Sequence, residues 1–232
     1  MKKILLTAGI ATLMLTACQS QDTELKQADD KQATEEHKSG QSSSTKTSDK
    51  GQHKVTKQDG VTYVDGHILV NKKVGLPSDY APGEDMEARK QLDLMIQDSK
   101  QDDVNLVFRS GYRSYDTQKQ LYSSYVARDG EEAANKYSAK PGHSEHQSGL
   151  AFDVGSIDAS KDFQTSFLNT PEGQWVKEHS HEYGFIIRYP KGKEAITGYQ
   201  YEPWHLRYVG KALAKTIHDQ NTTLEEYFDY GK

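Results

Sequence analysis

Two short stretches hold most of the reactive chemistry this chain offers. The first is Ser144-Glu145-His146-Gln147-Ser148-Gly149-Leu150-Ala151-Phe152-Asp153, in which a histidine and an aspartate lie seven positions apart with a glycine and small residues between them. The second, Glu202-Pro203-Trp204-His205, follows about fifty residues later. Hydrolytic zinc sites take three protein ligands and keep one position open for water. His146, Asp153 and His205 provide such a set, two imidazoles and a carboxylate for one Zn2+ ion. Glu202, three residues before the last ligand, is then placed to act as general base. Pro203 disfavours helical geometry at Glu202, so the pair need not share the face of a regular helix. That separates the pattern from H-E-x-x-H sites, whose two histidines do share one. Spacing alone leaves a second reading open, because a histidine in a Gly/Ser-rich loop is commonly a polar loop residue.

Elements of both periods are available to position these residues. Residues 61–64 and 67–70 flank Asp65-Gly66, a hairpin signal. Pro77, Pro82 and Gly83 punctuate a loop. Residues 84–100 read as a helix with Ala88, Leu92, Met95 and Ile96 on one face. A short β-rich run at 104–108 precedes a second helical pattern at 114–128, with Leu121, Tyr122 and Tyr125 at helical spacing. A strand is expected at 150–154, just where the first reactive stretch ends. Thr170-Pro171 opens a helix that should end near Gly184. Strands are expected at 185–189 and 203–209, and a last helix at 210–219. This pattern predicts an α+β domain, a small mixed or antiparallel sheet with helices packed on it.

The N-terminal part has a different character. Lys2 and Lys3 precede an apolar run over residues 4–15, too short to span a bilayer as a stable helix. Leu15-Thr16-Ala17-Cys18 resembles a bacterial lipobox, and Cys18 is the chain's single cysteine. Residues 1–17 therefore read as a lipoprotein signal peptide and Cys18 as a lipid-anchored N-terminus. A membrane is the partner this implies, and an extracytoplasmic location follows. One cysteine excludes an intramolecular disulfide. Residues 18–56 read as a polar tether: from 19 onward they contain no aromatic residue and almost no large aliphatic one. A coil of that length spans roughly 30–35 Å. His37 and His53 fall in it and read as solvated polar residues. The folded domain is assigned to 57–232. A net charge of −5 without a basic stripe gives no sign of a nucleic-acid partner.

Residues 144–153 match S-x-H-x-x-G-x-A-x-D in full, and Glu202-Pro203-Trp204-His205 matches E-P-W-H. Phe108-Arg109-Ser110-Gly111-Tyr112-Arg113-Ser114, the runs ILVNKK at 68–73 and LPSDYAP at 76–82, and the sequence around 183–210 extend the likeness over nearly all of 61–215. With these motifs the chain resembles the VanY-type D-alanyl-D-alanine carboxypeptidases of the LAS group of zinc peptidases. The resemblance implies the hedgehog/D-Ala-D-Ala peptidase fold, zinc on His146, Asp153 and His205, and Glu202 as catalytic base. It implies Arg113 at the developing oxyanion, Ser144 near the substrate's terminal carboxylate, and Gln118 as a further substrate contact. Trp204 is close enough to a ligand to line the pocket. Arg109 is an alternative to Arg113. The implied substrate is a peptidoglycan stem peptide losing its terminal D-alanine. The alternatives are an L,D-carboxypeptidase trimming tetrapeptides and a non-catalytic, zinc-binding wall-binding lipoprotein. His143 is expected in a loop or supporting role, and His67 and His218 at the surface. His179-Ser180-His181 resembles the H-x-H of LytM-type endopeptidases. It falls in a helical pattern, however, where residues two apart point away from one another.

Overall fold

The computed structural model describes residues 53–232. Residues 1–17, read as a signal peptide, Cys18, His37 and most of the stretch read as a tether lie outside the described residues. The first strand begins at Val55, before the boundary read at 57. Strand β1 (Val55–Gln58) pairs with β2 (Val61–Val64), and β2 pairs with β3 (His67–Ile68) in a three-stranded antiparallel sheet. Both hairpins turn through Asp-Gly pairs, Asp59-Gly60 and Asp65-Gly66, with all four residues at positive φ. This is the backbone such two-residue loops require. The Asp59-Gly60 signal was legible in the sequence and marks β1 as plainly as Asp65-Gly66 marks β3. His53 is correspondingly not a tether residue. Its Nδ1 lies 2.6 Å from Asp65 Oδ2, and its ring packs edge-on against Phe228.

The second sheet carries the reactive stretches. Its four antiparallel strands, β4 (Val107–Ser110), β5 (Ala151–Gly155), β6 (Phe185–Tyr189) and β7 (Glu202–Tyr208), lie in the order β4-β5-β7-β6. Strands alternate their side chains between faces. Phe152 and Val154 of β5 and Leu206 of β7 enter a core with Ala88, Leu92 and Met95 of α1 (Met86–Ser99) and Trp175 and Val176 of α4 (Pro171–His179). The opposite parity of the same two strands holds Asp153, His205 and Arg207. One face thus buries oil while the other carries charge.

Helix ends follow the local chemistry. Asp85 caps α1, Ser114 caps α2 (Tyr115–Asp129) and Thr170 caps α4, each accepting a backbone N–H with its side chain. Helix α4 ends at His179 and tightens into a 3₁₀ turn (Ser180–Tyr183) before Gly184. The helix read to Gly184 is therefore shorter than its pattern. The β-run read at 104–108 forms its strand later, at 107–110, because Val104 and Leu106 are used in the core before the strand begins. Helices α3 (Glu131–Tyr137), α5 (Glu194–Thr197), α6 (Lys211–Gln220) and α7 (Leu224–Phe228) complete the domain. Of these only α6 was anticipated. The others are four to seven residues long and give too few turns for a readable period.

Candidate metal centre

Strand register brings the distant candidate ligands together. Asp153 and His205 are direct cross-strand partners in β5 and β7, so their side chains leave the same face side by side. His146 reaches them from a 3₁₀ turn (Glu145–Ser148) that Gly149 closes. Gly149 sits at φ +77°, and a Cβ there would lie 2.1 Å from the carbonyl oxygen of Gly83. Only glycine lets the chain reverse between His146 and β5. The His146 Nδ1–H donates to the Gly111 carbonyl at 2.8 Å, which turns Nε2 inward. His146 Nε2 lies 3.2 Å from Asp153 Oδ2, and His205 Nδ1 lies 3.0 Å from Asp153 Oδ1. One ligand atom from each of His146, Asp153 and His205 falls within 4.8 Å of the others. Ligands about 2.0–2.1 Å from a tetrahedral zinc ion stand roughly 3.3 Å apart, so these spacings suit a single ion.

The electrostatics point the same way. Burial opposes charge on His205, yet Asp153 and Glu145 outweigh it and raise its pKa to about 9. Burial would also raise the Asp153 carboxyl, but His146 and His205 hold it well below the usual carboxylate range. Burial keeps the pKa of His146 below its ordinary value. The carboxylates of Asp153 and Glu145 therefore favour positive charge at His205. Glu202 is tuned oppositely. Burial pushes its carboxyl up to about 8, His205 pulls it down, Asp153 adds to the rise, and Arg113 and Lys72 oppose it.

These groups open on a cavity of about 330 Å³, which Ser144, Tyr189, Glu202 and Trp204 also line. Glu202 shares its parity with Trp204 and Leu206, whose side chains enter the core. The β6–β7 register shifts between Ile187 and Tyr189, where Tyr189 opposes Glu202, and such irregularities re-aim side chains. Arg113 lines the same cavity. Its guanidinium donates to Gln118 Oε1 at 2.9 Å and Ser110 Oγ at 3.1 Å, and stands 3.9 Å from Asp153 Oδ2. Gln118 is buried with both amide ends engaged, by Arg113 and by the Ala139 carbonyl, so it orients Arg113 as well as lining the wall. Arg109 points elsewhere, bonding Asp162 and the Ser156 carbonyl. Helix α2 buries little besides Gln118 because Leu121 and Tyr125 line the cleft. Tyr125 meets Tyr137 edge-on there, with centroids 5.2 Å apart.

The remaining histidines stay outside the cluster. His143 Nδ1 lies 2.8 Å from the Asn71 carbonyl, tying the loop before the site to the segment after β3. His181 stacks on His218 at 3.8 Å and lines a second cavity between α6 and β6. His67 is half-buried, with Phe228 beside it. Sequence reasoning missed the buried charges beneath the site: Glu145, Arg188, Arg207 and Glu225 are all fully enclosed. The two arginines had a signal, a charge within the apolar runs of β6 and β7; Glu145, in a 3₁₀ turn, and Glu225, in α7, had none.

An α+β domain with a His-Asp-His centre, a neighbouring carboxylate and an arginine at the rim is a metallopeptidase arrangement. The chain belongs to the VanY family of D-alanyl-D-alanine carboxypeptidases, whose family model matches residues 83–211. YodJ of Bacillus subtilis (strain 168) is 38% identical over 240 residues, covering 94% of this chain and 86% of that protein. The L,D-carboxypeptidase DacB of Streptococcus pneumoniae is 42% identical, with a TM-score of 0.70 over 77% of this chain and 97% of the other. A Zn(II)-bound variant of the vancomycin-resistance D,D-pentapeptidase VanY, from a VanB-type cassette, is 34% identical, with a TM-score of 0.60 over 69% and 97%. The protein is a carboxypeptidase whose cofactor is a single zinc ion, and the His146-Asp153-His205 donor set fits that ion.

Proposed function

We propose that this chain removes the C-terminal D-alanine from peptidoglycan stem peptides as a D,D-carboxypeptidase. The observation that carries the reading is the convergence of His146, Asp153 and His205 with Glu202 on one cavity wall. Relatives named as D-alanyl-D-alanine carboxypeptidases support the substrate, among them one from Enterococcus faecium that is 40% identical over 147 residues. Zinc, when bound, supplies a Lewis acid that lowers the pKa of water toward neutrality. Glu202 accepts a proton from the attacking water and returns it to the leaving amine of D-alanine. Burial raises the proton affinity of Glu202, which strengthens it as the acceptor in the first step. Arg113, held by Gln118 and Ser110, donates to the oxyanion that develops on the scissile carbonyl. Ser144 lines the same cavity and meets the substrate's free carboxylate, which limits cleavage to the chain end. Trp204 forms part of the wall.

A second reading, L,D-carboxypeptidase action on tetrapeptide stems, is favoured by the higher identity to DacB than to the D,D-pentapeptidase. A purely zinc-binding, non-catalytic role is disfavoured by Glu202, which zinc binding alone does not need. The polar N-terminal stretch and the lipobox-like Leu15-Thr16-Ala17-Cys18 support an extracytoplasmic protein held to the membrane through lipidated Cys18. Two acyl chains would make such an anchor stable. No helix among the described residues is long and apolar enough to cross a membrane.

The test is incubation with pentapeptide and tetrapeptide muropeptides, with products resolved by mass. Loss of one D-alanine from the pentapeptide is expected, abolished by chelation and restored by zinc. Turnover of the tetrapeptide alone would replace this reading with the L,D one. No turnover of either by the zinc-loaded protein would refute both.

A further inference from the structure

Glu145 takes no part in the chemistry above, yet it is fully buried beside a metal ligand. Its Oε1 accepts from Arg188 Nε and Arg207 Nη1, each at 2.7 Å. Its Oε2 accepts nothing, and neither does the buried Nε2 of His205 have a partner. These two orphans face one another across 3.6 Å. An unpaired buried polar atom loses its hydration with nothing in return, so two of them aimed together call for an explanation.

The explanation lies on the other side of the ring. His205 presents Nδ1 to Asp153. An imidazole that offers the Nδ1 lone pair to a metal must carry its proton on Nε2, and that N–H then points at Glu145 Oε2. A movement of a few tenths of an ångström closes the hydrogen bond and satisfies both atoms. We infer that Glu145 is a positioning residue, which fixes the tautomer and the ring orientation with which His205 meets zinc. The inference rests on the assignment of His205 as a ligand.

Glu145 is itself held rigidly. Arg188 also pairs with Glu225 of α7 at 2.9 Å, and Asn71 donates to Glu225 at 3.0 Å. Two guanidiniums and two carboxylates balance their charge in a space closed to solvent. Buried ionic clusters of this kind add little net stability against apolar packing. What they provide here is one carboxylate oxygen, fixed in place, opposite His205.

The test is Glu145→Gln beside Glu225→Gln in the full chain. In Glu145→Gln the two arginines keep the amide oxygen, so the amide N–H₂ turns toward His205. It can be met only by a lone pair on Nε2, which moves the ring proton to Nδ1 and removes it as a zinc donor. Zinc affinity, measured on the metal-free protein by chelator competition, should fall roughly 10- to 100-fold, the range for loss of an outer carboxylate partner. Glu225→Gln disturbs the same cluster without facing His205, and should lower the melting temperature of the metal-free protein while keeping parental zinc affinity. Parental affinity in Glu145→Gln, or an equal loss in Glu225→Gln, would overturn the inference. If either variant fails to fold, long-range ¹H–¹⁵N correlation of the zinc-loaded parent decides: a proton on His205 Nε2 supports the role, and one on Nδ1 refutes it. A parent that binds no zinc would remove the metal site itself, a failure distinct from these.

Discussion

Replacing Glu202 with glutamine should have two effects of opposite sign. The side chain is 7% exposed and lines the cavity, and glutamine keeps its volume while losing the ability to carry a proton. A positioned general base contributes roughly 10²–10⁴ in rate, or about 3–5 kcal/mol of barrier. The kcat for D-alanine release should fall by that factor, with KM little changed and zinc retained, because no ligand is touched. In the metal-free protein the same change should stabilise the fold. Glu202 is raised from 4.5 to about 8, chiefly by burial. A carboxyl raised in this way is kept neutral by the native state, while the unfolded chain ionises as soon as pH passes 4.5. The native state therefore binds more protons through that window, and stability falls as pH rises. Glutamine escapes the penalty, with a ceiling of about 3 kcal/mol at pH 7 and nothing at about pH 4. Urea unfolding with chelator present at both pH values, beside the muropeptide assay, reads both effects. Parental activity would show the base to be wrongly assigned. Equal stability at pH 7 would show that the cavity does not penalise charge at Glu202.

Arg113→Ala should lose roughly 10²–10³ in kcat/KM, the scale of a missing oxyanion donor. Arg109→Ala, which frees only Asp162 and the Ser156 carbonyl, should keep kcat/KM and lose thermal stability instead; the reverse pattern would exchange their roles. Gly149→Ala should prevent accumulation of folded protein, since its Cβ meets the Gly83 carbonyl at 2.1 Å. Gly66→Ala, at a similar φ but with open space around it, should cost about 1–2 kcal/mol of unfolding free energy. Comparable losses at the two glycines would mean that backbone strain, not the close approach, governs Gly149.

Much of this molecule was written along the chain. The ligand types, the carboxylate three residues before His205, the Asp65-Gly66 turn and the buried stripe Ala88-Leu92-Met95 of α1 are local patterns, readable without coordinates. Local chemistry sets them: side-chain donor type, backbone preference, and the period of the apolar residues. Other features have no local signature. That Asp153 stands opposite His205 is a matter of strand register, set by contacts between segments fifty residues apart. That Arg113 lines the cleft while Arg109 bonds Asp162 is likewise invisible in the sequence, since both belong to one short motif. Glu145 reads in the sequence as one acidic residue in a polar loop. Only the closing of β6, β7 and α7 around it makes it the buried carboxylate shared by two arginines and aimed at a ligand. Sequence decides which groups are available, because their chemistry travels with the residue. Folding decides which of them meet, because a distance of a few ångströms between remote positions is a property of packing alone.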